Sequence, residues 1–249
     1  MIGVFTYRVD PPLGKAWIGD ALRGWWLGWV RTVSGEWAHR LHDSGGRKPY
    51  TLRVLTPEFI RVTTLSRELT VWGVAELKMP PPLRTRKGDY ELTLADQNTI
   101  LPESLLRKAE ESAPTVLHFQ TPTLFRQGGY DLPLPIPGLI LHSLVEAWDQ
   151  WGGVRLPLQV RTIPLRLTRH RIRTIVIPSA KKGVRVGFVG EVGIGLPSLP
   201  EEARILTQTL LWHAEYSGIG VGSTAGMGGV QIGTHGAAPS VQVAPSGLG

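Results

Sequence analysis

The order strand, helix, strand, strand, helix, strand occurs twice along this chain, and no other feature restricts its fold as strongly. Residues 2–9 (IGVFTYRV) mix β-branched and aromatic side chains ahead of Pro11-Pro12 and read as a strand. Leu22, Trp25, Trp26, Trp29, Val30 and Val33 then recur at helical spacing. The pattern continues through Trp37 and Leu41 to the stop Ser44-Gly45-Gly46, with a kink at Gly35. Residues 50–55 and 59–64 flank Thr56-Pro57-Glu58 as a hairpin, residues 65–74 form a short helix, and residues 90–95 supply the last strand of the first unit.

A short amphipathic helix, 101–112, has Pro102 near its start and suits a connector. Beyond it lie a strand at 115–120, a helix at 138–151, longer strands at 163–177 and 184–194, a helix at 200–216 with an acidic first turn, and a strand beginning at 230–232. Two successive βαββαβ units predict an α+β chain of tandem ferredoxin-like domains with antiparallel sheets. The expected units are 1–113 and 114–235, and no residue-level repeat accompanies them. The uncharged segment GAAPSVQVAPSGLG that closes the chain predicts a disordered tail at 236–249.

The 249 residues are 42% hydrophobic and only 19% charged, enough to bury a core and to exclude wholesale disorder. Lys and Arg outnumber Asp and Glu by 27 to 20, a formal charge of +7 that favours a polyanionic partner, nucleic acid first. The start lacks a basic region followed by a cleavage site, and the apolar stretch 16–30 is interrupted by Asp20 and Arg23, short of a membrane span. With no cysteine, disulfides and thiolate metal sites are excluded. The expectation is a cytoplasmic protein without a membrane association.

Between the last helix and the last strand lies the segment Gly218 to Gly228, which fits G-x-G-x5-G-x-G. Glycine at this density lets the backbone take positive φ, and amide groups exposed in such turns cradle phosphates. A P-loop would need Lys-Ser/Thr after the last glycine, whereas Gly229-Val230 follows here. A dinucleotide fingerprint would need a strand before it and a helix after it, the reverse of this order. A plain surface loop is the remaining alternative.

The glycine segment with its Tyr216-Ser217-Gly218-Ile219-Gly220 lead, the helix feeding it and the tandem order resemble the repeat-associated CRISPR endoribonucleases of the RAMP superfamily. These enzymes process precursor guide RNA. Thr121-Pro122-Thr123-Leu124-Phe125, Gly187-Phe188-Val189-Gly190 and Leu41-His42-Asp43 add to the resemblance, which spans nearly the whole chain. It implies a metal-independent endoribonuclease with no cofactor that cuts CRISPR repeat RNA by 2′-OH attack, leaving 2′,3′-cyclic phosphate and 5′-OH ends. A guide-RNA-binding subunit of an effector complex, without catalysis, is the alternative; a homodimer through exposed members of the Trp25 to Trp37 stripe is a further possibility.

Such chemistry requires a base for the 2′-OH, an acid for the departing oxygen and positive charge near the phosphate. The family's helix-ending histidine and the lysine about six residues on match His42 and Lys48. By itself His42 also reads as a helix-end residue whose charge suits the dipole, and Lys48 as a surface lysine. His39, one turn earlier, is a helper or structural residue. It forms an i, i+3 pair with His42 but lacks clear further ligands, so no metal is expected. Arg47 can do electrostatic work like that of Lys48. Many relatives carry a tyrosine in the middle of the first helix; here tryptophans stand there, which indole chemistry cannot replace. Tyr50 or His39 is left to contribute from nearby, and the tryptophans read as core.

For RNA binding, the run from Arg161 to Arg185 contains no acidic residue. Arg169, Arg171 and Arg173 share one face of a strand, with Arg166, Lys181 and Lys182 extending the track. A charged edge strand guarded against aggregation is the competing reading. Arg126 is a further candidate. In the glycine segment, Gly218, Gly220, Gly222, Gly226 and Gly228 would bring backbone close to RNA, with Ser223 and Thr224 offering hydroxyls in place of the basic residue that relatives often carry.

Overall fold

The structure is a computed structural model that describes residues 1–14, 17–43, 45–152, 155–179 and 183–233. Lys181, Lys182 and the expected tail at 236–249 lie outside the described residues. The first half contains β1 (Ile2–Asp10), α1 (Gly19–Val33), α2 (Gly35–Asp43), β2 (Tyr50–Thr56), β3 (Phe59–Thr64), α3 (Arg67–Glu76), β4 (Leu83–Thr85) and β5 (Gly88–Ile100). The connector α4 (Pro102–Glu111) leads to β6 (Val116–Thr123), β7 (Phe125–Gln127), β8 (Tyr130–Leu132), α5 (Pro137–Trp151), α6 (Leu158–Arg161), β9 (Arg166–Ser179), β10 (Gly183–Gly195), α7 (Glu201–Ser217) and β11 (Val230–Gly233).

Strand order in the first sheet is β2-β3-β1-β5-β4 and in the second β11-β6-β10-β9, with antiparallel neighbours throughout. In each, the strand that opens the unit lies between the third and the last, so both halves carry the ferredoxin-like order. β4 and the small β7–β8 hairpin are additions that the sequence reading did not contain. The hairpin turn uses Gly128 and Gly129 at φ +57° and +85°, the two left-handed positions a tight hairpin requires.

The expected long first helix is two helices. Ser34 adopts an extended conformation (φ −151°, ψ 108°) and its hydroxyl accepts the Trp37 amide at 3.2 Å, starting α2 anew. A serine followed by glycine supplies an N-cap where a continuous helix would need two good helix formers, so the break replaces the kink. Trp25, Trp26 and Trp29 are buried against Tyr7 and Tyr50, as their helical stripe predicts. They are thus core.

Alternation in β1 divides its side chains between two cores. Phe5, Tyr7 and Val9 pack under α1, whereas Ile2 and Val4 join the core built around β6, β10, α5 and α7. The two halves therefore share packing as well as polar contacts. Thr51 donates to the Tyr216 carbonyl at 2.9 Å, and the buried Arg53 donates to the Val230 carbonyl at 2.7 Å.

Candidate active site and nucleic-acid interface

Leu41 is 1% exposed, and its burial, a contribution of about 1.5–3 kcal/mol, fixes the end of α2 against the first sheet. The next residue, His42, consequently points outward with its side chain 76% exposed. Its Nδ1 lies 2.7 Å from one carboxylate oxygen of Asp43, and the His39 Nδ1 lies 3.0 Å from the other. The hydrogen bond from His42, with the neighbouring charges of His39 and Lys48, holds the Asp43 carboxyl below its ordinary range. An ionised carboxylate only accepts, so Nδ1 of His42 carries its proton toward Asp43 and Nε2 is the nitrogen left for chemistry.

Lys48 folds back across the loop and donates to the His42 carbonyl at 2.9 Å. Partial burial, and next the charge of Arg23, push the Lys48 ammonium below the usual lysine range, while Asp43 works in the opposite direction. Arg23 also acts on Tyr50, whose phenol is raised to about 12 chiefly by burial, with Arg23 opposing. Tyr50 is fully buried and packs against Trp26 with tilted rings 5.5 Å apart, so it does not stand in for the missing helix tyrosine. The α1 residue that does reach this neighbourhood is Arg23, which sequence reasoning missed. Asp43 was visible as a carboxylate four residues after His39 and directly after His42, yet its bridging role needed the fold. Among the described residues no cluster of three or more histidine, aspartate or glutamate side chains has metal-ligating geometry.

Arg47 turns inward, against the expectation of electrostatic work beside Lys48. It donates to the carbonyl and hydroxyl of Ser143 at 2.7 and 2.9 Å and to the carbonyls of Ser217 and Gly218, both at 3.3 Å. Glu146 lies 3.8 Å away. Burial lowers its pKa, and Glu146 resists that shift. Ser143 in turn accepts the Gly220 amide at 2.8 Å, so the loop carrying Lys48 is joined through α5 to the glycine segment.

That segment has positive φ at Gly218, Gly220, Gly222, Gly226 and Gly228. A Cβ at Gly220 would stand 2.4 Å from the Leu124 carbonyl oxygen, and one at Gly228 would stand 2.3 Å from that of Ile219. The Ile219, Gly220, Val221, Ala225, Met227, Gly228 and Gly229 amides are all bonded within the protein, the last three to Gly222, Pro122 and Thr121. Most of the expected amide cradle is therefore consumed inside the protein, three of these bonds strapping the segment onto residues 121–124. What it offers a ligand is narrowed to the 3-10 turn Ser223–Ala225, with the half-buried Ser223 and Thr224.

Arg169, Arg171 and Arg173 are exposed and stand opposite Gly193, Glu191 and Val189. A register shift at Gly193/Ile194 places Arg166 opposite Gly195, and so on the same face as the other three. Beneath the row, Gly193 and Gly195 leave no side chain above the sheet. None of the four arginines has an ion-pair partner among the described residues. Glu191, absent from the basic run in sequence, reaches His118 at 3.3 Å. Arg126 differs: it is paired with Asp131 at 3.3 Å, and Asp131 also holds Arg185 through two bonds of 2.7 and 2.9 Å.

Residues 117–230 match the family described as CRISPR-associated endoribonuclease Cas6. A curated protein of that name from Mycobacterium tuberculosis is 28% identical over 119 residues, 47% of this chain and 38% of the relative's length. The matched stretch thus spans well under half of that relative. Among solved structures, a Cas6 product complex superposes with a TM-score of 0.79 at 24% identity, covering 94% of this chain and all of the other. A Thermus thermophilus Cas6 in its product complex gives 0.76 at 25% identity, covering 93% of this chain and all of the other.

Proposed function

We propose that the chain is an endoribonuclease of the Cas6 family that cuts CRISPR repeat RNA in precursor transcripts, a reading supported by the family match over residues 117–230 and by the similarity of its fold to a solved Cas6 at 25% identity. The observation that carries this reading is the gathering of His42, Asp43 and Lys48 at one loop, with Arg23 beside them. In the proposed step the 2′-oxygen next to the cut attacks the adjacent phosphorus, forming the P–O2′ bond as the P–O5′ bond breaks. His42 Nε2 moves the proton, accepting it from the 2′-OH and returning it to the departing 5′-oxygen. Asp43 holds the ring in that tautomer, and Lys48 and Arg23 offset the charge that builds on the non-bridging oxygens.

These groups suffice for proton transfer and charge stabilisation, which is why the reaction is proposed to proceed without a metal. The products then carry a 2′,3′-cyclic phosphate and a 5′-OH. Residues 1–113 contribute the chemistry, and residues 114–235 hold the RNA along Arg166, Arg169, Arg171 and Arg173.

The test is incubation of the protein with its host's repeat RNA in EDTA, beside His42→Ala and an RNA with a 2′-deoxy sugar just upstream of the cut. Cleavage in chelator by the wild type, lost with either change, is expected. Cutting that persists in His42→Ala removes His42 from the mechanism, and cutting abolished by EDTA alone removes the metal-free step.

A further inference from the structure

Beside α2, a cavity of about 710 Å³ opens between the first half and the end of α5. Its size lies within the ~300–1,000 Å³ range of small-ligand sites. Two indoles line it, Trp37 and Trp151, and the Arg40 guanidinium lies over the Trp37 ring at 4.2 Å. Both carboxylates in the wall are already neutralised: Glu68 by Arg40 at 2.7 Å, and Asp149 by a two-pronged contact from Arg161 at 2.6 and 2.7 Å. Arg67 and Arg155 also line the cavity and have no ion pair among the described residues. The wall therefore carries two uncompensated positive charges beside planar stacking surfaces.

The cavity adjoins the chemistry. Leu41 and Pro49, immediate neighbours of His42 and Lys48, form part of its wall. Gln150, also in the wall, touches the catalytic loop: a Cβ at Gly46 would come within 2.5 Å of its amide nitrogen. A ligand here would be anionic and aromatic, and would sit beside the loop that joins His42 to Lys48.

We infer that this cavity is a nucleotide pocket receiving an unpaired nucleotide of the RNA strand next to the scissile phosphate. The inference rests on the proposed RNA cleavage. Bases stack on indole rings and on guanidinium planes alike, and an unpaired nucleotide presents both a π face and a phosphate. Arg67 and Arg155 meet the phosphates, the Trp37–Arg40 stack and Trp151 meet the base, and the Gln150 amide offers a donor and an acceptor to the base edge.

The test uses the full chain and a repeat RNA with a 2′-deoxy sugar at the cut, so that binding is read without cleavage. Affinity is measured against salt for wild type, for Arg67→Glu with Arg155→Glu, and for a control of equal charge change, Arg86→Glu with Lys87→Glu, on the far edge of the first sheet. Losing two phosphate contacts lowers the salt slope by about 2, about 1 per residue. The pocket variant is expected to show that loss and at least tenfold weaker binding, with the control close to wild type. A second RNA carries 5-iodouridine beside the cut and is expected to crosslink to Trp37 or Trp151 under ultraviolet light. Equal slopes for pocket variant and control, or crosslinks formed only elsewhere, overturn the pocket while leaving the nuclease reading standing. A wild type that cannot bind the repeat removes both.

Discussion

Arg47 donates to two oxygens of Ser143, the carbonyl at 2.7 Å and the hydroxyl at 2.9 Å, although 96 residues separate them in the chain. The same hydroxyl accepts the Gly220 amide. Three segments, the loop carrying Lys48, α5 and the glycine segment, thus meet at Ser143. Arg47→Ala leaves these acceptors without their charged donor and should cost about 1.5–3 kcal/mol of unfolding free energy, measured by urea titration. Ser143→Ala should cost about 1 kcal/mol and slow single-turnover cleavage more than it weakens RNA binding.

In the proposed reaction, Asp43 fixes which nitrogen of His42 faces the RNA. Asp43→Asn removes the obligatory acceptor, and its amide can donate to Nδ1, favouring the wrong tautomer. Because Asp43 is exposed, the expected loss in cleavage rate is on the order of tenfold, below the ~10²–10⁴-fold expected for His42→Ala. Single-turnover rates with saturating protein separate this from binding; a variant as fast as wild type would leave Asp43 without a role.

Arg23 pushes Lys48 downward, second only to burial. Removing that charge in Arg23→Gln lets the Lys48 pKa rise toward its ordinary value. The alkaline limb of the pH–rate profile, where Lys48 loses its proton, should then move to higher pH, with a lower plateau because one positive charge near the phosphate is gone. An alkaline limb that stays in place would disconnect Lys48 from the rate.

His213 lies fully buried in α7, edge-on to Trp148, with Nδ1 unpartnered. Burial, reinforced by Arg47 and the N-terminal amine, drops its pKa to about 3. The unfolded chain has a pKa near 6.5 at this residue and binds the proton first, so this residue erodes stability as pH falls below about 6.5. The slope is ~1.4 kcal/mol per pH unit, flattening near pH 3. Denaturant midpoints from pH 7 to 4 should fall more steeply for wild type than for His213→Gln.

Much of the fold was legible because periodicity carries it. The tryptophan stripe of α1, the two βαββαβ runs and the arginines of β9 occupy the positions their spacing predicts. What escaped depended on contacts distant in sequence or on one residue's conformation. Ser34 breaks the first helix through its own hydroxyl, which a hydrophobic count does not register. Gly128-Gly129 marked a hairpin, but three-residue strands give too short an alternation to detect. Arg47 sits between His42 and Lys48 in sequence and is cationic like Lys48, yet Ser143 lies 96 positions away, so nothing local announces that it faces inward. The glycine segment showed its need for positive φ without showing that seven of its amides are already bonded.

The arginine row of β9 has a consequence for how copies of this protein meet one another. β9 is the last strand of its sheet, and its outer backbone edge is a template for a second β9. Four unpaired positive charges, with bare glycine beneath two of them, repel such a neighbour while the row stands empty. A bound polyanion cancels that repulsion. The free protein is thus protected from edge-to-edge aggregation by the same residues proposed to hold RNA, and the interval of greatest exposure to self-association is the moment when those charges are neutralised.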